Sequence, residues 1–386
     1  MKTVDVIIIG AGASGLMCAI EAAKRGRQVL VLDHANKAGK KILMSGGGRC
    51  NFTNYSIDAE NYISDNAHFC KSALSRFTQW DFLALIDAYQ IPFHEREHGQ
   101  LFCNESSADI LNMLLAECKQ AGVQIKLNTK IKAIEGHFSV SLENETVKCD
   151  ALVVATGGLS IPKMGATPFG YQIAQQFGIK VQLTRAGLVP FTLHVDDKEK
   201  FSVLSGLALP AMVSNDRKCF IENLLFTHRG ISGPVVLQMS SYWNQGETLT
   251  INLLPNINLR EQLLVSKSKL KVKNYLTDLL AKRLIAIFLP ENLLEMNVVD
   301  LSCKQVELIT NCLQQWQLKP NATEGYRTAE VTLGGVDCHA ISSKTFAANQ
   351  VAGLYFIGEV LDVSGWLGGY NFQWAWASGW CAGQVV

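Results

Sequence analysis

The chain has 386 residues, 48% of them hydrophobic and 18% charged, and at roughly 150 residues per domain this length suggests two or three domains with sizeable cores. Lys and Arg number 35 against 34 for Asp and Glu, a net charge of +1, so no chain-wide field favours nucleic acid or an anionic membrane surface. No apolar run reaches membrane-spanning length, the N-terminus enters strand residues without a leader pattern, and the eleven cysteines form no CxxC pair; the expectation is a cytoplasmic protein with reduced, mostly buried thiols and no metal site.

The β-branched run Val4, Val6, Ile7, Ile8, Ile9 predicts a buried parallel strand. It breaks at Gly10, Gly12 and Gly15 into an amphipathic helix that includes Ala13 and Ser14 and ends at Gly26. Gly10 allows a tight turn, Gly12 lets backbone approach a pyrophosphate, and Gly15 lets helix pack on strand. A second strand, Gln28 to Leu32, then delivers Asp33 at the spacing of a ribose-binding acid. Together these are a dinucleotide-binding fingerprint in its full strand, turn and helix context. Beyond Lys41 and Ser45 come Gly46, Gly47 and Gly48, too costly for helix or strand and suited to close backbone contact with a flat ligand. Arg49, Cys50 and Asn51 follow, with Thr53 and Asn54 as further donors.

Phe69 to Tyr89 and Ser107 to Gly122 have helical spacing, and His94 and His98 between them read as a polar loop, because Pro92 and Gly99 disfavour a metal-binding helix. Strands are expected at Val123–Leu127 and Lys130–Ile134, then a hairpin of Phe138–Leu142 with Thr146–Cys149. Another buried strand, from Ala151, stops at Thr156, Gly157 and Gly158, a corner expected beside the same ligand. From Leu188 short alternating segments predict a small antiparallel sheet or barrel, with His228 and Arg229 before the helix-initiating Gly233-Pro234. Leu259 to Trp316 reads as helical and carries a basic segment of Lys267, Lys269, Lys271, Lys273, Lys282 and Arg283. Near Tyr326 the first domain returns: Leu354–Ile357 is a strand, Gly358 and Glu359 its polar end, and Gly365, Gly368 and Gly369 lead into a last helix near Tyr370 and Asn371. Two glycine-rich helix starts call for a long ligand with anionic character at both ends, and FAD meets that demand.

The stretches GAGASGL, SGGGRCNFTN, VVATGG, FTHRGISGP and GLYFIGEVLDVSGWLGGYNFQWAWASG resemble the HI0933-like flavoprotein family from Asp5 to Gly383. That family includes proteins called aminoacetone oxidase and others linked to reduction of bile-acid enones. The resemblance implies an α/β fold: a glutathione-reductase-type, Rossmann-like FAD-binding domain built from residues 1–187 and 326–386. Between them it implies an inserted β-barrel-like domain, 188–257, and a small helical domain, 258–325. It also implies a ribityl contact at Gly358 and Glu359 and an adenine contact from the backbone of Ile131. The chain departs from the family pattern in TPFG at Thr167–Gly170, where Gly-Asp-Gly is usual, and in Cys103, where Pro is usual.

The functional expectation is an FAD-dependent oxidoreductase acting on a small organic substrate. Arg49, Tyr370 and Asn371 are its electrostatic partners and His228 an acid or base. An enone reductase would need NAD(P)H as a transient electron donor, whereas an oxidase would pass electrons to dioxygen. From a different class, a tRNA-acting flavoprotein has the lysines of 267–283 as its support, but the near-neutral charge weighs against a nucleic-acid partner.

Overall fold

A computed structural model describes residues 2–386. It contains two compact units, one formed by the chain up to Ala186 together with Glu330–Val386, the other by Gly187–Ala329. The first unit is built on β1 (Lys2–Ile9), α1 (Ala13–Lys24), β2 (Val29–Leu32), α2 (Ala108–Gln120), β3 (Gln124–Lys126), β4 (Thr146–Val154), β5 (Leu354–Phe356) and α3 (Tyr370–Gly383). The five strands lie parallel in the order β3-β2-β1-β4-β5. Ile9 is in register with both Leu32 and Val154, and Val154 with Phe356. Gly10, Asp33, Ala155 and Ile357 therefore leave the sheet along one edge, the carboxyl edge where such sheets bind ligands.

β4 is one strand where the sequence suggested two. Its first half alternates in burial and pairs antiparallel with Ser139–Ser141, while Ala151–Val154 is buried throughout, as the centre of a parallel sheet requires. The segment read as a polar loop is instead a hairpin of Phe93–Arg96 with Gln100–Cys103, turning at His98 and Gly99, both at positive φ, and pairing on to Asn51–Asn54. The long helix expected at 69–89 is broken at Thr78, whose N–H and hydroxyl are both held by Asp81 as a new helix starts. α3 lies tightly on α1: a Cβ on Gly379 would stand 2.4 Å from the Ser14 carbonyl oxygen, and one on Gly383 2.5 Å from Glu21 Cβ.

The second unit holds a seven-stranded antiparallel sheet ordered Trp316–Leu318, Leu249–Asn252, Ala208–Ser214, Cys219–Phe226, Gly230–Ser232, Phe191–Thr192, Ala322–Thr323. Its two edge strands are joined by residues 319–321 alone. Laid flat, seven strands would put those edges about 29 Å apart, yet the connection spans at most about 14 Å; the sheet must curl round. The helical stretch is five short helices, Leu259–Val265, Val272–Leu276, Lys282–Phe288, Glu291–Leu294 and Cys303–Gln314, and Trp316 begins a strand instead of ending a helix. The 188–257 and 258–325 segments share one unit because Gln314 Nε2 donates to the carbonyls of Leu254 and Ile257, at 2.9 and 2.6 Å. The chain re-enters the first unit at Glu330, later than Tyr326, since Ala322–Thr323 still pairs with Phe191–Thr192.

Candidate functional site

The glycines after β1 divide by what they contact. Gly10 has φ +112°, and a Cβ there would lie 2.3 Å from the Ala155 carbonyl oxygen; a Cβ on Gly15 would lie 2.0 Å from that of Gly10. The fold itself requires both. Gly12 differs, with φ −87° and nothing within 4 Å of a Cβ. Protein packing therefore gives no reason for glycine at 12, and a ligand at the bare N-terminus of α1, which has no capping side chain, supplies one. The Asp33 carboxylate accepts the N–H of Ala11 and of Ala35, each at 2.8 Å. Those bonds fix its orientation while each oxygen keeps a second acceptor position.

Beside this turn is a cavity of about 310 Å³ walled by Gly10, Asp33, Ile131 and Thr156 from the expected set. That volume is at the low end of the roughly 300–1,000 Å³ of ligand pockets, enough for part of a dinucleotide. Sequence reasoning missed His34, Thr129, Lys130, Thr167 and Phe169 in its wall. Thr167 and Phe169 belong to the TPFG departure, the one signal that pointed at them. Ile9, Leu32, Ile131 and Phe169 give apolar sides for a flat ring; the Thr156 hydroxyl is shut away beside Gly170, without a hydrogen-bond partner among the described residues.

A second cluster gathers at the end of β5. Glu359 Oε2 pairs with Lys41 Nζ at 2.8 Å, while Oε1 accepts the Thr332 N–H at 3.0 Å and the Ser160 hydroxyl at 3.3 Å. Lys41 also donates to Ser160 Oγ at 2.6 Å. A Cβ on Gly158 would strike Thr332 Oγ1 and Glu359 Oε1, and one on Gly358, at φ +71°, would strike Ser14 Oγ. Ser14, Lys41, Gly157, Gly158, Gly358 and Glu359 thus converge as expected residues; Ser160 and Thr332 were missed, having no motif of their own.

In the glycine loop Gly46, Gly47 and Gly48 all have positive φ, as does Cys50. A Cβ on Gly46 would press on Asn51 N and the Phe102 ring, whereas Gly47 and Gly48 open onto free space. Ser45 ties the loop to the preceding helix through Ile42 O, and Arg49 is exposed, its side chain without a hydrogen bond or ion pair among the described residues. Burial pushes the Cys50 thiol well up from its ordinary value, so it is no thiolate nucleophile. The donors expected to face a ligand are largely committed elsewhere. Thr53 Oγ1 bonds Gln373 Oε1 at 2.7 Å, Asn54 Nδ2 donates to Gly368 O, and the Asn51 amide lies between Gln100, Leu101 and the Gly369 N–H. A Cβ on Gly369 would lie 2.3 Å from Thr53 O. Asn51, Thr53 and Asn54 are therefore the clamp that seats the start of α3. Asn371 likewise uses both amide hydrogens on the carbonyls of Gly365 and Trp366, and Tyr370 is a buried ring set edge-on to Tyr62. His228 lies in the second unit, exposed on the Thr227–Gly230 turn beside an Arg229–Glu324 ion pair of 3.1 Å.

A parallel sheet carrying a glycine turn, an acidic stop after β2 and a ligand-sized cavity at its carboxyl edge defines a dinucleotide-binding protein, with the Rossmann-like α/β fold of FAD-binding oxidoreductases. The chain belongs to the HI0933-like family: the model described as "HI0933-like protein Rossmann domain" matches residues 4–385. It is 50% identical to the ribosomal RNA dihydrouridine synthase of Escherichia coli K12, over 100% of this chain and 98% of that protein. It is 28% identical to the 3-dehydro-bile acid delta(4,6)-reductase of Clostridium scindens, over 98% of each. Among solved structures, 3-ketosteroid-delta4-(5alpha)-dehydrogenase from Rhodococcus jostii RHA1 shares the fold, with a TM-score of 0.50 at 15% identity over 99% of this chain and 97% of that one.

Proposed function

We propose that the protein is an FAD-dependent reductase that converts a uridine of ribosomal RNA to dihydrouridine. The observation that carries this is the 50% identity, across the whole chain, to a ribosomal RNA dihydrouridine synthase. Chemistry joins it to the more distant relative. The C5=C6 bond of uracil is conjugated to the C4 carbonyl, so it is an enone-like bond, as is the bond whose reduction the bile-acid enzyme's name implies. Saturating it breaks the π bond and forms two C–H bonds: a hydride equivalent adds to C6 and a proton to C5.

The residues fit FAD: Gly12 is spared by the protein and open to a pyrophosphate, and the Asp33 carboxylate keeps acceptor positions at the wall of the adenosine-side cavity. When bound, FAD supplies the two-electron hydride chemistry. Gly10 to Gly15 hold the pyrophosphate, Asp33 the adenosine ribose, and Glu359, steadied by Lys41 and Thr332, the ribityl hydroxyls. Arg49 offers its unpaired guanidinium to the carbonyl oxygen on which negative charge grows as C6 is attacked. It cannot give up a proton at neutral pH, so the proton that reaches C5 is drawn from solvent.

The test uses ribosomal RNA from a strain lacking the gene, incubated with purified FAD-loaded protein and NADPH, NADH or photochemical reduction, then digested and analysed by mass spectrometry. The expected result is one uridine heavier by two hydrogens. Return of flavin colour when small enones are added to the reduced protein, with no dihydrouridine under any reductant, would overturn the RNA reading in favour of a small-molecule enone reductase.

A further inference from the structure

We infer that the second unit docks RNA through a row of lysines, Lys267, Lys269 and Lys271, which grips the phosphate backbone. This rests on the ribosomal RNA reading. In sequence the lysines recur at every second position of KSKLKVK, a period that suits an extended strand and no helix.

The structure makes that period matter. Leu270 and Val272 exchange backbone hydrogen bonds with Met296 and Val298: the Val298 N–H donates to Leu270 O and the Val272 N–H to Met296 O, each at 2.9 Å. Lys271 stands opposite Asn297 in an antiparallel bridge, and the Val299 N–H reaches Ser268 O at 3.0 Å. The bridge is short: Val272 opens the helix Val272–Leu276 and Val298 a turn of 3-10 helix, and both are buried, whereas Lys267, Lys269 and Lys271 before them are all exposed.

The charge on this stretch is in excess. Glu295 pairs with both Lys271 and Lys273, so one carboxylate offsets one of two ammonium groups. Neither Lys267 nor Lys269 has an ion pair among the described residues, and Lys282 and Arg283 add exposed charge on the same lobe. Near-neutrality of the whole chain thus conceals a local basic stretch, and phosphate contacts of this kind position RNA without reading its sequence.

The experiment compares wild-type holoprotein with the double variant Lys267→Gln/Lys269→Gln and, as a control for generic charge loss, Lys344→Gln in the first unit. Binding to ribosomal RNA from the deletion strain is titrated by filter retention from low to moderate salt, and dihydrouridine formation and reduction of a small enone are measured in parallel. The double variant is expected to keep its flavin spectrum and enone reduction while its log affinity against log salt slope falls by about 2, near one unit per lysine, and dihydrouridine formation drops. Equal slopes for wild type and double variant would overturn the docking inference, as would the same loss in Lys344→Gln. Salt-dependent binding lost in the double variant, with no dihydrouridine formed even by wild type, would sustain the interface and reject the uridine substrate.

Discussion

Gly12 separates two demands that a glycine motif usually mixes. Its φ of −87° is open to any residue and no protein atom lies within 4 Å of a Cβ, so Gly12→Val is expected to fold and melt like the cofactor-free wild type while binding no FAD. Gly15→Ala is expected to behave oppositely, because its methyl meets the Gly10 carbonyl oxygen at 2.0 Å; overpacking of this kind costs about 1–3 kcal/mol of stability. Visible absorbance near the flavin band and thermal melting of the two variants decide the matter. A yellow Gly12→Val protein would remove the pyrophosphate assignment. Substitutions at Asn51, Thr53, Asn54 or Asn371 act at one remove, since their side chains hold the loop at the start of α3 instead of reaching outward.

At the scale of elements, the site depends on the closeness of α1 and α3. Gly379 and Gly383, one helical turn apart, let α3 settle against Ser14, Cys18 and Glu21 of α1, and the Ser378 hydroxyl and Trp374 ring bind the N–H and carbonyl of Gly358. One helix from the end of the chain thus braces both the phosphate turn and the Glu359 corner. Gly379→Leu is expected to push the helices apart, lowering the melting temperature by several degrees, because each 1 kcal/mol is worth roughly 2–4 °C in a domain of this size. It is also expected to weaken FAD binding although no atom of Gly379 faces the cavity. Fluorescence titration with FAD below the new melting point tests the second effect; unchanged affinity would show that the helices bear on stability alone.

For the molecule as a whole, eight of the eleven cysteines are buried and none is disulfide-bonded. Burial raises the thiols of Cys103, Cys118 and Cys149 to about 12, and the thiolate is the reactive form. Native protein treated with iodoacetamide at pH 8 is therefore expected to be modified at the exposed Cys219 and Cys303, whereas denatured protein labels throughout. Peptide mass mapping checks this site by site, and rapid native labelling at Cys50 or Cys103 would contradict the burial of the glycine loop's inner side. Cys219 and Cys303 both belong to the second unit, so native labelling is expected there and not in the first.

The sequence by itself determined the nucleotide turn, because everything it needs is contiguous between Val4 and Asp33: a buried strand, glycines forced by close backbone approach, and a helix start. It also carried the return of the first domain near the end of the chain, since the strand at Leu354 and the glycines before Tyr370 repeat the same local logic. Tertiary structure alone decided which polar groups remain for a ligand. Thr53 meets Gln373 and Lys41 meets Glu359 across more than three hundred residues, and no local pattern marks such pairs. It also placed Ser160, Thr332 and Thr129, single residues without a motif, and it left the alternating lysines of 267–271 outside any helix and exposed. Backbone requirements act over a few residues and are written locally; a side chain's partner is set by packing between distant segments, which only the folded chain specifies.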